Sequence, residues 1–286
     1  VELSRFAADV YSQFGEDGIV SEILDRIAER QPLSRWCVEF GAWDGELYSN
    51  TCNLIRNRGY QAVMIEGDRE RVAQLHRNHP QSNVIKICAM VEIEGDNRLD
   101  AILWRTPLPE DFDVLSIDID GYDYWVFKSL EEYRPKVVLI EFNPTIPNPV
   151  EYVQEPDTKV ARGSSARSLE LLAQEQGYGL VAATAVNLIL VRRDLVEAVL
   201  GPDAQVPTLD QVRPEIYDPV YAFVGFDGSL LFSQPTIRFV WHGTSLATET
   251  LQPIPRFWRN YPGSWKTKSL RNLTWQLFRR RRGIEQ

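Results

Sequence analysis

From Trp36 to about Asp194, short apolar runs alternate with amphipathic stretches, which is the pattern of a parallel sheet flanked by helices. The runs Trp36 to Gly41, Ala62 to Glu66, Val84 to Val91, Val114 to Ile119, Val137 to Asn143, Gly179 to Ala183 and Leu188 to Arg192 predict strands. Between them, Leu47 to Arg58, Arg69 to Asn78, Tyr124 to Glu132 and Ser165 to Gln176 have the spacing or charge of surface helices. Each crossover is long enough for a right-handed βαβ unit. Ahead of the first strand, Ile19, Ile23, Leu24 and Ile27 form one stripe of a helix over Gly18 to Glu29. The expected fold class is α/β, with a mostly parallel doubly wound sheet, an N-terminal helix and a C-terminal extension.

The pattern changes after Asp194, so a main domain over residues 1–195 and an extension over 196–286 are expected. Pro202, Pro207, Pro214 and Pro219 break the periodicity, and Asp227-Gly228 between two short apolar runs predicts a hairpin. The most apolar stretch, Leu180 to Val191, is twelve residues long, well short of the roughly 20 that cross a bilayer. No basic segment followed by an apolar one opens the chain, so a cytoplasmic protein is expected. Cys37, Cys52 and Cys88 form no close pair, so buried, reduced thiols are expected rather than a disulfide framework or a zinc site.

Charge alters this picture in one region. Net charge is −9. Arg256 to Gln286 holds nine basic residues and one acid, net +8, which leaves the first 255 residues at −17. The tail, with Trp258, Trp265, Leu273, Trp275, Leu277 and Phe278 beside Arg279 to Arg282, is basic and amphipathic. It is either a solvated terminus or a peripheral contact for a membrane surface or an anionic carrier. The acidic body does not suit nucleic acid.

Candidate chemistry begins at Val38-Glu39-Phe40-Gly41-Ala42-Trp43-Asp44-Gly45, an acid and two glycines at the end of the first apolar strand. Glycine there lets a ligand approach the backbone closely. Trp43 stands where a dinucleotide fold needs its second glycine, which argues against a pyrophosphate cradle and a nucleotide-dependent oxidoreductase. Glu66 closes the next strand, 25 residues after Gly41, where a carboxylate can accept from both hydroxyls of a ribose. No G-x-S-x-G elbow supports a serine hydrolase. His76, His79 and His242 carry no motif, and the first two belong to a helix end.

These words, together with Tyr11-Ser12-Gln13, Gly15-Glu16-Asp17, VEFGAWDGELYSNT, VMIEGD, LSIDIDGYDYWVF and VVLIEFNPTIPNP, resemble the FkbM-like family of S-adenosylmethionine-dependent methyltransferases over about residues 9 to 195. The resemblance implies a class I, Rossmann-like methyltransferase fold and O-methylation of a sugar, glycan precursor or small metabolite. It implies that Glu39, Gly41 and Gly45 border the methionine part of the cofactor, with Ser49, Asn50 and Thr51 close by. Glu66 with Gly67 takes the ribose, Met90 borders adenine, and Asp118 lies beside the transferred methyl. Where the family's better-known pattern resembles D-V-E-G, this chain reads Asp118-Ile119-Asp120-Gly121, with a further acid at Asp123. That departure leaves the acceptor and metal dependence open.

The acids at the strand ends therefore allow two arrangements. Asp118, Asp120, Glu141 and Asn143 could hold Mg²⁺ and lower the pKa of a bound hydroxyl. Alternatively one carboxylate acts alone as base, Asp120 before Asp118 or Asp123. Gln13, Glu16 and Asp17 either cap the leading helix or fold over the cofactor. Tyr122, Tyr124 and Trp125 either pack the core or stack on a sugar. A non-catalytic protein that kept the cofactor fold and recruits an anionic partner through its basic tail is the alternative of a different class.

Overall fold

The computed structural model describes residues 2–213, 217–259 and 277. The chain divides into two compact units, Val1–Tyr217 and Asp218–Gln286. In the first, seven strands form one sheet: β1 Trp36–Phe40, β2 Gln61–Glu66, β3 Val84–Cys88, β4 Val114–Ile117, β5 Val137–Glu141, β6 Tyr178–Ala183 and β7 Asn187–Arg192. Their spatial order is β3-β2-β1-β4-β5-β7-β6, and only β7 runs against its neighbours. This is the class I, Rossmann-like order, whose switch point between β1 and β4 opens a crevice at the carboxyl ends of the strands.

Alternation along each strand divides the core into two layers. Val38, Phe40, Val63, Ile65, Leu115, Ile117, Val138 and Ile140 face one way, against α4 Leu99–Leu103, α5 Asp123–Lys128 and α6 Ala166–Glu175. Cys37, Ala62, Met64, Val114, Val137 and Leu139 face the other, against α1 Glu16–Ala28, α2 Cys52–Arg58, α3 Arg69–Asn78 and α7 Val196–Leu200. Each buried Leu, Ile or Val contributes about 1.5–3 kcal/mol. The stripe Ile19, Ile23, Leu24 and Ile27 of α1 is wholly buried, as its spacing predicts. The short helices α7 and α8 Leu209–Val212 also lay apolar residues on the core.

Cys37 and Cys52 are buried, but Cys88 is exposed, because β3 is an edge strand and Cys88 ends it. No described helix is long and apolar enough to cross a membrane. Within the second unit, β8 Ala222–Val224 pairs with β9 Leu230–Phe232 around Asp227-Gly228, and β10 Thr236–Phe239 pairs with β11 Thr244–Ala247. The basic run Arg279 to Arg282, with Trp265, Leu273, Trp275 and Phe278, lies outside the described residues.

Candidate active site

At the end of β1 the chain turns through Gly41 at φ +72°. A Cβ there would come within 1.6 Å of the Asp118 carbonyl oxygen, so only glycine lets β1 close against β4. Two residues on, Trp43 holds a left-handed φ of +49°. Its backbone N–H donates to Glu66 Oε2 at 2.8 Å. Glu66 Oε1 accepts from the Asp68 N–H at 2.8 Å. The half-buried Glu66 carboxylate therefore binds the β1 and β2 loops together, and each of its oxygens has accepting capacity beyond the one bond. Asp68 caps α3 by accepting from the N–H groups of Glu70 and Arg71. The Arg71 guanidinium stacks on the Trp43 ring at 3.7 Å. Across Gly67 lies the Met90 side chain, whose sulfur occupies the space that a Cβ on residue 67 would need. The structure thus brings Gly41 against Asp118 and Gly67 against Met90, with Glu66 joining the loops that follow β1 and β2.

Asp118 follows the last residue of β4 and shares a hydrogen bond with Glu141 at the end of β5. Burial, and next the charge of Asp120, raises Asp118 to about 6 against the hydrogen bond from Glu141, while burial and the charges of Asp118, Asp123 and Asp120 raise Glu141 to about 10. Glu141 therefore keeps its proton at neutral pH while Asp118 is ionised. Asp120 is exposed beside them, at a left-handed φ of +58°.

Other expected site residues are engaged by protein partners. Glu39 is buried and accepts from Ser49 Oγ at 2.6 Å, the Asn50 N–H at 2.8 Å and Thr51 Oγ1 at 2.7 Å. The Asn50 amide goes on to Ser116 Oγ at 3.1 Å. These four residues form a closed knot beneath the crevice, and burial raises Glu39 to about 7 despite its three donors. Gly45 faces Leu75 and His79, away from the crevice. The buried His79 ring meets the Gly45 carbonyl at 2.7 Å, and burial lowers its pKa. Asp123 clips its own loop, accepting from the N–H groups of Ile119 at 3.0 Å and Gly121 at 2.8 Å.

The expectation of Mg²⁺ is not supported. Among the described residues no three His, Cys, Asp or Glu side chains are grouped to hold a metal ion. Three of the four expected donors, Asp118, Glu141 and Asn143, are already engaged. Asn143 accepts from the N–H and hydroxyl of Thr145 and donates to the Arg162 carbonyl, and Glu141 bonds Asp118.

Glu16 and Asp17, expected either to cap the leading helix or to belong to a segment folded over the cofactor, bind the chain ahead of α1 and the β6–β7 turn. Asp17 Oδ2 accepts from three successive N–H groups, Val10 at 2.9 Å, Tyr11 at 2.7 Å and Ser12 at 2.8 Å. Glu16 accepts from Thr184 Oγ1 at 2.5 Å, Asn187 Nδ2 at 3.1 Å and the Phe14 N–H at 2.8 Å. The N-cap of α1 is Gly15, with no side-chain cap, so the two acids tie down neighbouring chain instead of capping the helix.

Residues 92–178 match the model of the methyltransferase FkbM domain. No curated protein matches the chain. Among solved structures it is similar to the CMeT domain of the citrinin polyketide synthase, at 16% identity and a TM-score of 0.40, over 65% of this chain and 55% of that one. It is also similar to a SAM-dependent methyltransferase from Aquifex aeolicus, at 11% and 0.36, over 60% and 87%. A third is the O-methyltransferase from Bacillus cereus in complex with SAH, at 19% and 0.38, over 60% and 90%. The chain thus spans about half the length of the polyketide synthase structure. On a sheet of class I order, the stretch from ahead of β4 into β6 is similar to the FkbM domain of methyltransferases.

Proposed function

We propose that this chain transfers a methyl group from S-adenosylmethionine to a hydroxyl of a sugar, a glycan precursor or a small metabolite. One observation carries the reading: the contact chain Glu66, Trp43, Gly41, Asp118, Glu141 across the carboxyl ends of four strands. It combines a ribose-type acceptor, a close backbone approach and a carboxylate able to take a proton.

The cofactor, when bound, supplies a methyl group on a positively charged sulfur. Glu66 holds the ribose hydroxyls, and Met90 lying over Gly67 borders the adenine. The acids around Asp118 favour the positive charge. Asp118, kept ionised by the proton that Glu141 retains, accepts the acceptor hydroxyl's proton at its carboxylate oxygen. Asp120, on the rim, favours the same transfer by its charge. Asp123 and Glu39 act by positioning the loops. We place the enzyme in the cytoplasm, with its basic tail meeting a membrane surface or an anionic carrier.

Calorimetric titration with S-adenosylhomocysteine tests the reading. Wild type should bind in the micromolar range, and Glu66→Ala should weaken binding about tenfold or more, since a hydrogen bond to a charged group is worth about 1.5–3 kcal/mol. No binding by wild type would sink the methyltransferase reading.

A further inference from the structure

The strand order β3-β2-β1-β4-β5-β7-β6 sets a direction across the carboxyl ends of the sheet. Glu66 ends β2, Gly41 follows β1 and Asp118 follows β4, so the cofactor of the proposed reaction spans the β2 to β4 side. Beyond Asp118 come Glu141, which ends β5, and Asn187, which begins the antiparallel β7 and therefore lies at the same edge. Glu141 and Asn187 stand directly opposite each other, so their side chains share a face. That face is covered by α1, whose first residue is Glu16. Asn187 Nδ2 donates to Glu16 Oε1 at 3.1 Å, and the Glu16 charge helps to raise Asp118. Asp118, Glu141, Asn187 and Glu16 are thus neighbours on the acceptor side of the crevice.

We propose that the acceptor carries a protonated primary amine beside the hydroxyl that is methylated, as an amino sugar does, and that Asn187 and Glu16 receive the amine. The inference rests on the methyltransferase reading and specifies its substrate. The transfer itself is unchanged. The hydroxyl oxygen bonds the methyl carbon, the carbon–sulfur electron pair returns to sulfur, and Asp118 takes the proton.

The first observation behind it is an acceptor that lacks a donor. Asn187 is 3% exposed, and its buried Oδ1 finds no hydrogen-bond partner among the described residues. Turning the amide round does not mend this, because Glu16 needs the Nδ2 donor. A buried carbonyl oxygen left unmatched is costly, and an N–H of the ligand removes that cost.

The second observation is charge. Glu16 meets donors only, Thr184 Oγ1 and Asn187 Nδ2 on one oxygen and the Phe14 N–H on the other, which is the pattern of an ionised carboxylate. Asp118 is ionised at neutral pH, and the exposed Asp120 adds a third carboxylate at the rim. Among the described residues none of these three pairs with a Lys or Arg. Arg162, whose carbonyl accepts from Asn143 just past β5, is paired with Glu155 at 2.6 Å. S-adenosylmethionine brings a sulfonium, an ammonium and a carboxylate, a net single positive charge. The acids therefore exceed what the cofactor offsets, and a cationic acceptor meets the remainder where a neutral one does not.

The test is calorimetric titration of the full chain at pH 7 with S-adenosylhomocysteine present. The probes are methyl β-D-glucopyranoside and its analogues with an amine in place of the hydroxyl at C2, C3, C4 or C6, which keep the shape and add the charge. At least one amine should bind about tenfold or more tightly than the neutral glucoside. Glu16→Gln, which keeps an oxygen for Thr184 and Asn187 but loses the charge, should cut that preference about fivefold or more. Asp120→Asn, at an exposed position where asparagine tolerates the left-handed φ of +58°, should cut it about twofold to threefold. Each preference is a ratio of two ligands on one sample, so a loss of folded protein cancels.

Equal binding of every amine and the neutral glucoside, or no binding of any, overturns the proposal and leaves the Asn187 oxygen to water. So does a preference that both variants leave intact. Titration with S-adenosylhomocysteine on the same samples separates the two levels. Failure there counts against the methyltransferase reading, whereas success without an amine preference removes the amine alone.

Discussion

At the amino ends of the strands, the fully buried Asp113 accepts from the N–H groups of Ser34 and Arg35 at 3.0 and 2.8 Å and pairs with Lys136 Nζ at 3.0 Å. At the carboxyl ends of the same sheet, Glu39, Asp118, Asp123 and Glu141 are held by hydroxyls, backbone N–H groups and one another. Among the described residues no Lys or Arg pairs with them. The amino end neutralises its buried charge and fixes the fold. The carboxyl end leaves negative potential unmatched, which suits a site for a cationic cofactor. Unpaired acids at one end of a sheet, set against paired ones at the other, therefore mark function more reliably than any single acid.

The largest effect expected from breaking this contrast is at the amino end. Lys136→Ala leaves Asp113 buried without its cation, which should destabilise the fold by about 3–5 kcal/mol. Urea denaturation measures the loss, and calorimetry with S-adenosylhomocysteine on the folded variant should show affinity within about twofold of wild type. A large loss of affinity in the folded variant would show that the two ends are not independent.

The next effect follows from Glu39, raised from 4.5 to about 7. A carboxyl whose folded pKa is raised stabilises fully below its unfolded value, and that stability is lost as pH rises through the folded one. Between about pH 4.5 and 7.5 the Glu39 contribution should fall by about 3 kcal/mol. Glu39→Gln removes the titration, so its stability should decline less steeply over that window. Parallel stability profiles for the two proteins would show that the three donors, rather than burial, set the ionisation of Glu39.

The sheet was legible in the sequence because its signal is local. Each strand run starts within one residue of its predicted position, and α3 spans the predicted residues. The strand ends were read too long at Val91, Ile119 and Asn143, because apolar residues beyond Cys88, Ile117 and Glu141 continue into loops. The helix predicted from Leu47 begins only at Cys52, because Glu39 draws Ser49, Asn50 and Thr51 into its knot and Tyr48 turns left-handed. Motif spacing picked out Gly41 and Glu66, and the family resemblance picked out Asp118. Spacing could not separate Glu39 from Glu66, since both are acids near strand ends. What distinguishes them is burial and the kind of donor, two hydroxyls and one backbone N–H for Glu39 and backbone N–H groups alone for Glu66. The short helix α4 was missed, having five residues and too little length for a period.

The smallest effect probes the carboxyl end directly. S-adenosylmethionine carries a positive sulfur and S-adenosylhomocysteine does not, so the ratio of their affinities reports the local charge. Asp118, raised to about 6, is largely protonated at pH 5 and ionised at pH 7.5. Its interaction with the sulfonium therefore appears only as pH rises through that value. At an effective dielectric constant of about 20, a carboxylate several ångströms away, with solvent screening, should shift the ratio about three- to tenfold in favour of the methionine form between pH 5 and 7.5. Asp118→Asn should flatten the ratio, because the amide keeps the shape but not the charge. A ratio that is independent of pH in wild type would mean that the unmatched acids serve the loops alone, and that the contrast between the ends of the sheet is one of folding rather than of chemistry.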